Sequence, residues 1–122
     1  MLFRNITLLD ENFNVRENMY VGTKRDRIDY IGDTMPEEDY GEVYEGAGKL
    51  LMSGFFNSHA HTPMTLMRVY GESMSLHDWL NKRIFPFEAH LTGEDVYYAT
   101  LLGIAESLRF GIVSTTDMYY FC

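Results

Sequence analysis

The chain has 122 residues, 46% of them hydrophobic, which suits one ordinary domain and is enough apolar material to build a core. It is therefore not an intrinsically disordered segment. Ten basic against 18 acidic residues give a net charge of −8, which argues against a nucleic-acid partner because such a partner needs basic surface.

Cysteine content and hydropathy favour a cytoplasmic protein. The only cysteine, Cys122, leaves no disulfide framework and no CxxC motif, as is usual in a reducing compartment. The first residues lack a basic segment followed by an apolar one, and no apolar run approaches the roughly 20 residues that span a bilayer. We therefore expect a cytoplasmic location and no membrane partner.

The first 50 residues predict short strands joined by polar turns. Two of the strands form a hairpin around the charged turn at residues 24–26. The acidic loop at residues 33–41 is interpreted as solvated surface, where such side chains usually lie. The predicted strands cover residues 2–9, 18–23, 27–32 and a short piece that begins at Val43.

The segment Leu50–His61 is an apolar run that ends in two histidines one residue apart. It predicts a buried strand, in which side chains at positions i and i+2 point to the same face. His59 and His61 would therefore direct both imidazoles at one point, as two ligands of one metal ion do. Two ordinary histidines near a strand end are the alternative.

The residues after His61 predict helices and then a second buried strand. A short helix is expected to begin at Thr62, and another to be capped by Ser75. Residues 85–88 are expected to be extended, because the residue before a proline avoids the α region. Thr92 caps a long helix. The predicted apolar face of that helix consists of Tyr97, Leu101, Ile104 and Leu108, and the helix ends at Gly111 before the strand at residues 112–118.

A strand, a set of helices and a second strand predict a βαβ unit with parallel neighbouring strands and a right-handed crossover. Functional sites in parallel α/β folds lie at the carboxyl ends of the strands. His59 and His61 occupy that end of the first strand, so their position and their chemistry both favour a metal site.

The segment Gly54–His61 resembles the PGFxNxHxH pattern of the first barrel strand in the amidohydrolase superfamily, with Ser53 in place of the usual proline. Within that superfamily the chain is most similar to deaminases of S-adenosylhomocysteine and 5′-methylthioadenosine. Val69 departs from the glycine that is common there after the arginine. Further similar segments, in the family's order and approximate spacing, are Met64–Arg68, Trp79–Leu80, Pro86–Glu88, Leu91–Thr92, Gly111–Ile112 and Thr116–Tyr119.

The resemblance implies an α/β fold with the start of a (β/α)8 TIM-type barrel over residues 51–122. Residues 1–50 would form the N-terminal part of a small β-sandwich domain. A (β/α)8 barrel takes typically about 250 residues, and this chain supplies two of its strands. We therefore expect the N-terminal fragment of a longer enzyme, inactive and unstable by itself. Whether the full-length parent is a homo-oligomer stays open.

The resemblance also implies a metal-dependent hydrolase that deaminates a small, purine nucleoside-like substrate, either S-adenosylhomocysteine or 5′-methylthioadenosine. His59 and His61 would hold the divalent metal, usually Zn²⁺, with Fe²⁺ as the alternative. Glu88 would bind the sugar hydroxyls, since a carboxylate accepts two hydrogen bonds; a solvated loop acid is its other interpretation. The catalytic acid or base and the remaining metal ligands are expected downstream of Cys122.

Several assignments stay open. His77 and His90 are expected to be surface histidines rather than ligands. Trp79 either lines a substrate pocket or anchors the core, and Asp117 either supports a metal-binding histidine or caps a loop. Other amidohydrolase reactions are alternatives, namely guanine or cytosine deamination and triazine dechlorination. A non-catalytic metal-binding or interaction module is the alternative outside enzymes.

Overall fold

A computed structural model describes residues 1–119, and the chain divides into two units, Met1–Ser53 and Gly54–Cys122. The first unit holds a five-stranded sheet, and the second holds a two-stranded sheet with helices between its strands. The sequence's only cysteine, Cys122, lies outside the described residues. None of the helices in the described part of the chain is long and apolar enough to cross a membrane.

The sheet of the first unit has the order β3-β2-β1-β4, and β5 also pairs with β1. The pairs β1–β2 and β2–β3 are antiparallel, whereas β4 and β5 run parallel to β1. The predicted hairpin is the β2–β3 pair, and all the predicted strands are present. Their bounds are β1 (Leu2–Leu9), β2 (Val15–Lys24), β3 (Arg27–Gly32), β4 (Val43–Glu45) and β5 (Leu50–Leu51).

The core of the first unit lies on one face of β1 and β2. Ile6 and Leu8 from β1 are buried with Met19 and Val21 from β2, and Ile6 lies opposite Met19 in the antiparallel register. Met19 and Val21 are two positions apart in β2 and therefore share its buried face. Burying each of these side chains stabilises the unit by roughly 1.5–3 kcal/mol relative to leaving it in water.

The predicted continuous strand over Leu50–His61 is wrong. The strand β5 ends at Leu51, and a new strand, β6 (Phe55–Ala60), begins in the other sheet. The prediction of burial is also wrong, since Phe55 and Phe56 are exposed. The periodicity of a short apolar run does not distinguish one buried strand from two strands that belong to different sheets.

The second unit begins with β6, which pairs in parallel with β7 (Ile112–Asp117), so the predicted βαβ order is confirmed. The residues of β7 after Ile112 are exposed, which contradicts the predicted burial of this strand. The elements between the strands are a 3₁₀ helix (Thr62–Met67), α1 (Leu76–Trp79), a π-helical turn (Leu80–Ile84), α2 (Phe85–Glu88) and α3 (Gly93–Arg109).

Residues 85–88 are helical, so the prediction of an extended segment is wrong. Phe85, the residue before Pro86, has φ −59° and ψ −41°, which are helical values. The π-helical turn leads directly into α2, and the N–H of Phe85 donates to the carbonyl of Leu80. The preceding helical residues therefore fix Phe85, and Pro86 takes the first turn of α2, where proline is tolerated.

Thr92 caps α3 as predicted. Its hydroxyl accepts a hydrogen bond from the N–H of Asp95 at 3.2 Å, and the Asp95 carboxylate accepts one from the N–H of Thr92 at 2.8 Å. The hydrogen bonds from the side chain and backbone of Thr92 lower the pKa of Asp95. Gly111, with φ +79°, follows the helix in the left-handed conformation that glycine favours.

The apolar face predicted for α3 is not the buried face. Ala99 and Gly103 are buried, and the Thr65 hydroxyl of the 3₁₀ helix donates to the Ala99 carbonyl at 2.8 Å. A Cβ atom on Gly103 would lie 2.5 Å from Cγ2 of Thr62, so only glycine permits this approach. The face of α3 that contacts the 3₁₀ helix is therefore the one with small side chains, and not the one with large apolar side chains. The predicted face residues, all exposed, are Tyr97, Leu101, Ile104 and Leu108.

Candidate active site

His59 is the second-to-last residue of β6, and His61 follows the strand directly. Their Nε2 atoms are 3.1 Å apart, and the ring planes are nearly perpendicular at 89°. Two nitrogens that each lie 2.0–2.1 Å from one zinc ion are separated by about 2.8–3.4 Å, from the octahedral to the tetrahedral angle. The pair therefore has the separation that two ligands of a shared divalent metal require.

Residues at the end of β7 form hydrogen bonds with the ring of His61 and with the backbone on either side of it. The N–H of Met118 donates to the carbonyl of Ala60 at 2.8 Å, and the carbonyl of Met118 faces His61 Nδ1 at 2.5 Å. Both carboxylate oxygens of Asp117 accept from the N–H of Thr62 at 3.2 Å. Because a carbonyl only accepts hydrogen bonds, Nδ1 of His61 carries the proton, and its Nε2 lone pair is left for a metal.

Glu88, at the end of α2, is the only buried charged side chain among the described residues and is 5% exposed. The interpretation of Glu88 as a solvated loop acid is therefore wrong. Its Oε1 accepts a hydrogen bond from the Tyr119 hydroxyl at 2.7 Å. Within residues 1–119, Oε2 has no hydrogen-bond partner. Every fully enclosed side-chain oxygen in this part of the chain has a partner, so Oε2 is not fully enclosed. Oε2 therefore remains accessible.

His61 and Glu88 line the same cavity, which has a volume of about 260 Å³. Trp79 forms part of its wall, together with apolar side chains such as Met64 and Ile84. The indole N–H of Trp79 donates to the Tyr70 carbonyl at 2.8 Å, which fixes the orientation of the ring. A mainly apolar wall with a few converging polar groups is the usual composition of a small-molecule site.

The other two histidines lie apart from this arrangement. His77 in α1 is exposed beside Asn81, and His90 is exposed with its Nδ1 2.7 Å from the Pro86 carbonyl. Within residues 1–119, no three histidine, cysteine or acidic side chains come together to hold a metal ion. The two convergent histidines are thus fewer than the three protein ligands usual in catalytic zinc sites.

Tyr119 is the functional candidate that sequence reasoning missed. The sequence places Tyr119 only within the family-like segment Thr116–Tyr119, because its partner Glu88 is 31 residues away and lies in a segment predicted to be extended. One signal was present in the sequence. Tyr119 comes directly after the second predicted strand, and its side chain therefore belongs to the same carboxyl edge of the sheet as the histidine pair.

Residues 50–121 match the family model for the amidohydrolase family. The matched region makes up more than half of the chain and contains His59, His61, Glu88 and Tyr119. The chain therefore belongs to the amidohydrolase family, which agrees with the resemblance of its Gly54–His61 segment.

Curated relatives of this chain carry the name 5-methylthioadenosine/S-adenosylhomocysteine deaminase. The relative from Caldanaerobacter subterraneus subsp. tengcongensis is 41% identical over 122 residues, which are 99% of this chain and 28% of that protein. A relative from Archaeoglobus fulgidus is 40% identical over 121 residues, with the same two coverages. The chain thus spans about 28% of the length of these relatives.

Solved structures with the same fold include an adenosine deaminase from Xanthomonas campestris with bound zinc. It has a TM-score of 0.84 and 29% identity, and the match covers 98% of this chain and 29% of that one. An atrazine chlorohydrolase from Arthrobacter aurescens in complex with zinc has a TM-score of 0.82, 20% identity and coverages of 95% and 28%. At that identity the second likeness concerns the fold alone. The predicted α/β class is confirmed.

Proposed function

We propose that the natural protein containing these residues is a metal-dependent deaminase of an adenosine-type substrate, 5′-methylthioadenosine or S-adenosylhomocysteine. The observation that carries the proposal is the shared cavity of His61 and the buried Glu88, with His59 beside His61. The names of the relatives support the substrate class. In this proposal residues 51–122 begin a (β/α)8 barrel, and residues 1–50 belong to a small β-sandwich domain.

His59 and His61 are the proposed ligands of a divalent metal, with zinc favoured because the adenosine deaminase of the same fold binds it. A bound divalent metal supplies hydroxide near neutral pH, since it lowers the pKa of coordinated water toward about 7. The contact with the Met118 carbonyl keeps the His61 ring in the tautomer suited to that role. Further ligands and the catalytic acid or base would come from outside residues 1–119.

Glu88 and Trp79 are the proposed substrate-contacting residues. The accessible Oε2 of Glu88 would accept hydrogen bonds from the sugar hydroxyls, and the apolar wall around Trp79 would cover the purine or thioether. In the overall reaction a C–O bond forms at the amino-bearing ring carbon, the C–N bond breaks, and ammonia leaves. A cytoplasmic location and the absence of a nucleic-acid partner remain predictions from cysteine content and charge.

The test is ammonia release by the natural-length, zinc-loaded protein from 5′-methylthioadenosine, S-adenosylhomocysteine and guanine, and chloride release from a chlorotriazine. We expect turnover of the first two. His59→Ala should lower kcat/KM by roughly 100-fold or more and reduce bound zinc, because even outer-shell partners of a metal are worth about 10–100-fold.

His77→Ala is the matched control, an exposed histidine outside the site that should leave activity and zinc content unchanged. Turnover of guanine or the chlorotriazine, with none of the two adenosine-type substrates, would contradict the proposed substrate class. Normal zinc content in His59→Ala would contradict the proposed ligand.

A further inference from the structure

We infer that Tyr119 is a positioning residue that holds the carboxylate of Glu88 in one orientation toward the cavity shared with His61. The hydrogen bond from the Tyr119 hydroxyl to Glu88 Oε1, 2.7 Å long, is the observation from which the inference starts. Its consequence for substrate binding rests on the proposed function. The orientation of the Glu88 side chain is a property of the structure and can be measured without a substrate.

The environment of Glu88 shows that Tyr119 is its principal anchor. A buried carboxylate normally needs a cation or several hydrogen bonds to offset its loss of hydration. None of the ion pairs within residues 1–119 includes Glu88. The Tyr119 hydroxyl is the one hydrogen-bond donor to this carboxyl group within residues 1–119. The orientation of the carboxylate therefore depends on this one contact.

The two carboxylate oxygens have different roles in this arrangement. Oε1 is occupied by the Tyr119 hydroxyl, whereas Oε2 makes no hydrogen bond within residues 1–119 and remains accessible. A group whose only role was structural would gain stability from a second internal donor. A fixed Oε1 with an open Oε2 instead directs one acceptor toward a molecule that enters the cavity.

The position of Tyr119 also links the carboxylate to the histidine pair. Its chain neighbour Met118 contacts the ring of His61 through its carbonyl, while Tyr119 itself contacts Glu88. Two consecutive residues at the end of β7 thus set the orientation of a metal-ligand candidate and of a substrate-binding candidate. The separation of these two groups would be fixed by one short backbone segment, which is how a site on a rigid element gains precision.

Tyr119→Phe in the natural-length, zinc-loaded protein tests the inference, because it removes the hydroxyl and retains the ring. Leaving a buried acceptor without its donor corresponds to a change of roughly 5- to 100-fold. We expect KM for 5′-methylthioadenosine to rise about 10-fold while kcat changes much less. On a Glu88→Ala background, which removes the acceptor of this hydrogen bond, the same substitution should change KM less than about 2-fold, since residues in one hydrogen-bond network are not additive.

Tyr97→Phe is the matched control, since Tyr97 is exposed on α3 and its substitution should leave KM unchanged. An unchanged KM in Tyr119→Phe, or additive effects with Glu88→Ala, would overturn the inference. So would a lower melting temperature as the sole effect, because a structural role predicts that result.

If the protein turned over neither adenosine-type substrate, the proposed function would be refuted. The role of Tyr119 in orienting Glu88 would then be tested by structure determination. In a crystal structure of Tyr119→Phe, we then expect the Glu88 side chain to occupy more than one rotamer. A single rotamer identical to that of the wild type would overturn the inference.

Discussion

The two units of the chain differ in how they cover their apolar residues. In Met1–Ser53, Ile6 and Met19 belong to a core that antiparallel neighbours close around. In the second unit, Phe56 on β6 is 77% exposed, and Val113 on β7 is also exposed. A hairpin sheet obtains partners from nearby residues, whereas a parallel pair needs cover on both faces and receives little from one crossover.

This difference shows what holds the candidate site in place. The site belongs to the unit that covers its strands poorly, yet its side chains are fixed by hydrogen bonds from the end of β7. Asp117, Met118 and Tyr119 contact Thr62, the ring of His61 and Glu88 in turn. Directional bonds at the strand end, together with the apolar wall of the cavity, therefore set the geometry of the site.

The comparison predicts that an isoleucine-to-alanine substitution destabilises the first unit much more than the second. Ile6→Ala removes a 2%-exposed side chain from the core and should lower the free energy of unfolding by about 2–5 kcal/mol. Ile104→Ala, which truncates a side chain on α3 that is 46% exposed, should cost less than about 1 kcal/mol. Urea unfolding with peptide-resolved hydrogen exchange measures both. Equal losses would show that the α3 face is covered in solution.

Close packing in the second unit predicts a smaller effect at a single glycine. Gly103→Ala would place a Cβ 2.5 Å from Thr62 Cγ2, and overpacking of this kind costs about 1–3 kcal/mol. The gain in helix propensity, about 1 kcal/mol, offsets part of that loss. Thermal unfolding followed by circular dichroism measures the net change.

The matched control for Gly103→Ala is Gly93→Ala in the same helix, where a new Cβ meets nothing within 4 Å. This substitution should be neutral or stabilising. If Gly103→Ala behaved in the same way, the close approach of α3 to the 3₁₀ helix would not exist in solution.

Acid should weaken the second unit at the cap of α3, which is the smallest effect predicted. Because the pKa of Asp95 is lowered in the folded state, its stabilisation is present above the unfolded value near 3.9 and is lost as pH falls through the folded value. The stability advantage of the wild type over Asp95→Asn should therefore be constant above about pH 5 and shrink below it. Hydrogen exchange in α3 measures this difference, and an advantage that grew on acidification would contradict it.

The local features of this protein follow from its amino-acid sequence. The pattern of strands and polar turns predicted β1 to β3, the i, i+2 spacing predicted the convergence of His59 with His61, and the Thr92 cap predicted the start of α3. Each of these features depends on residues within about four positions of one another, so a linear sequence contains the whole interaction. The pattern at Gly54–His61 also indicated the amidohydrolase family, which the family match confirms.

Tertiary structure alone decided the features that depend on distant partners. The run Leu50–His61 divides between two sheets, and α3 packs through Ala99 and Gly103 instead of its apolar stripe. Glu88 lies in the helical turn after Pro86, is buried, and accepts a hydrogen bond from Tyr119, 31 residues away. No local pattern contains such a contact, since its formation depends on how the strand and the helix pack after both have formed.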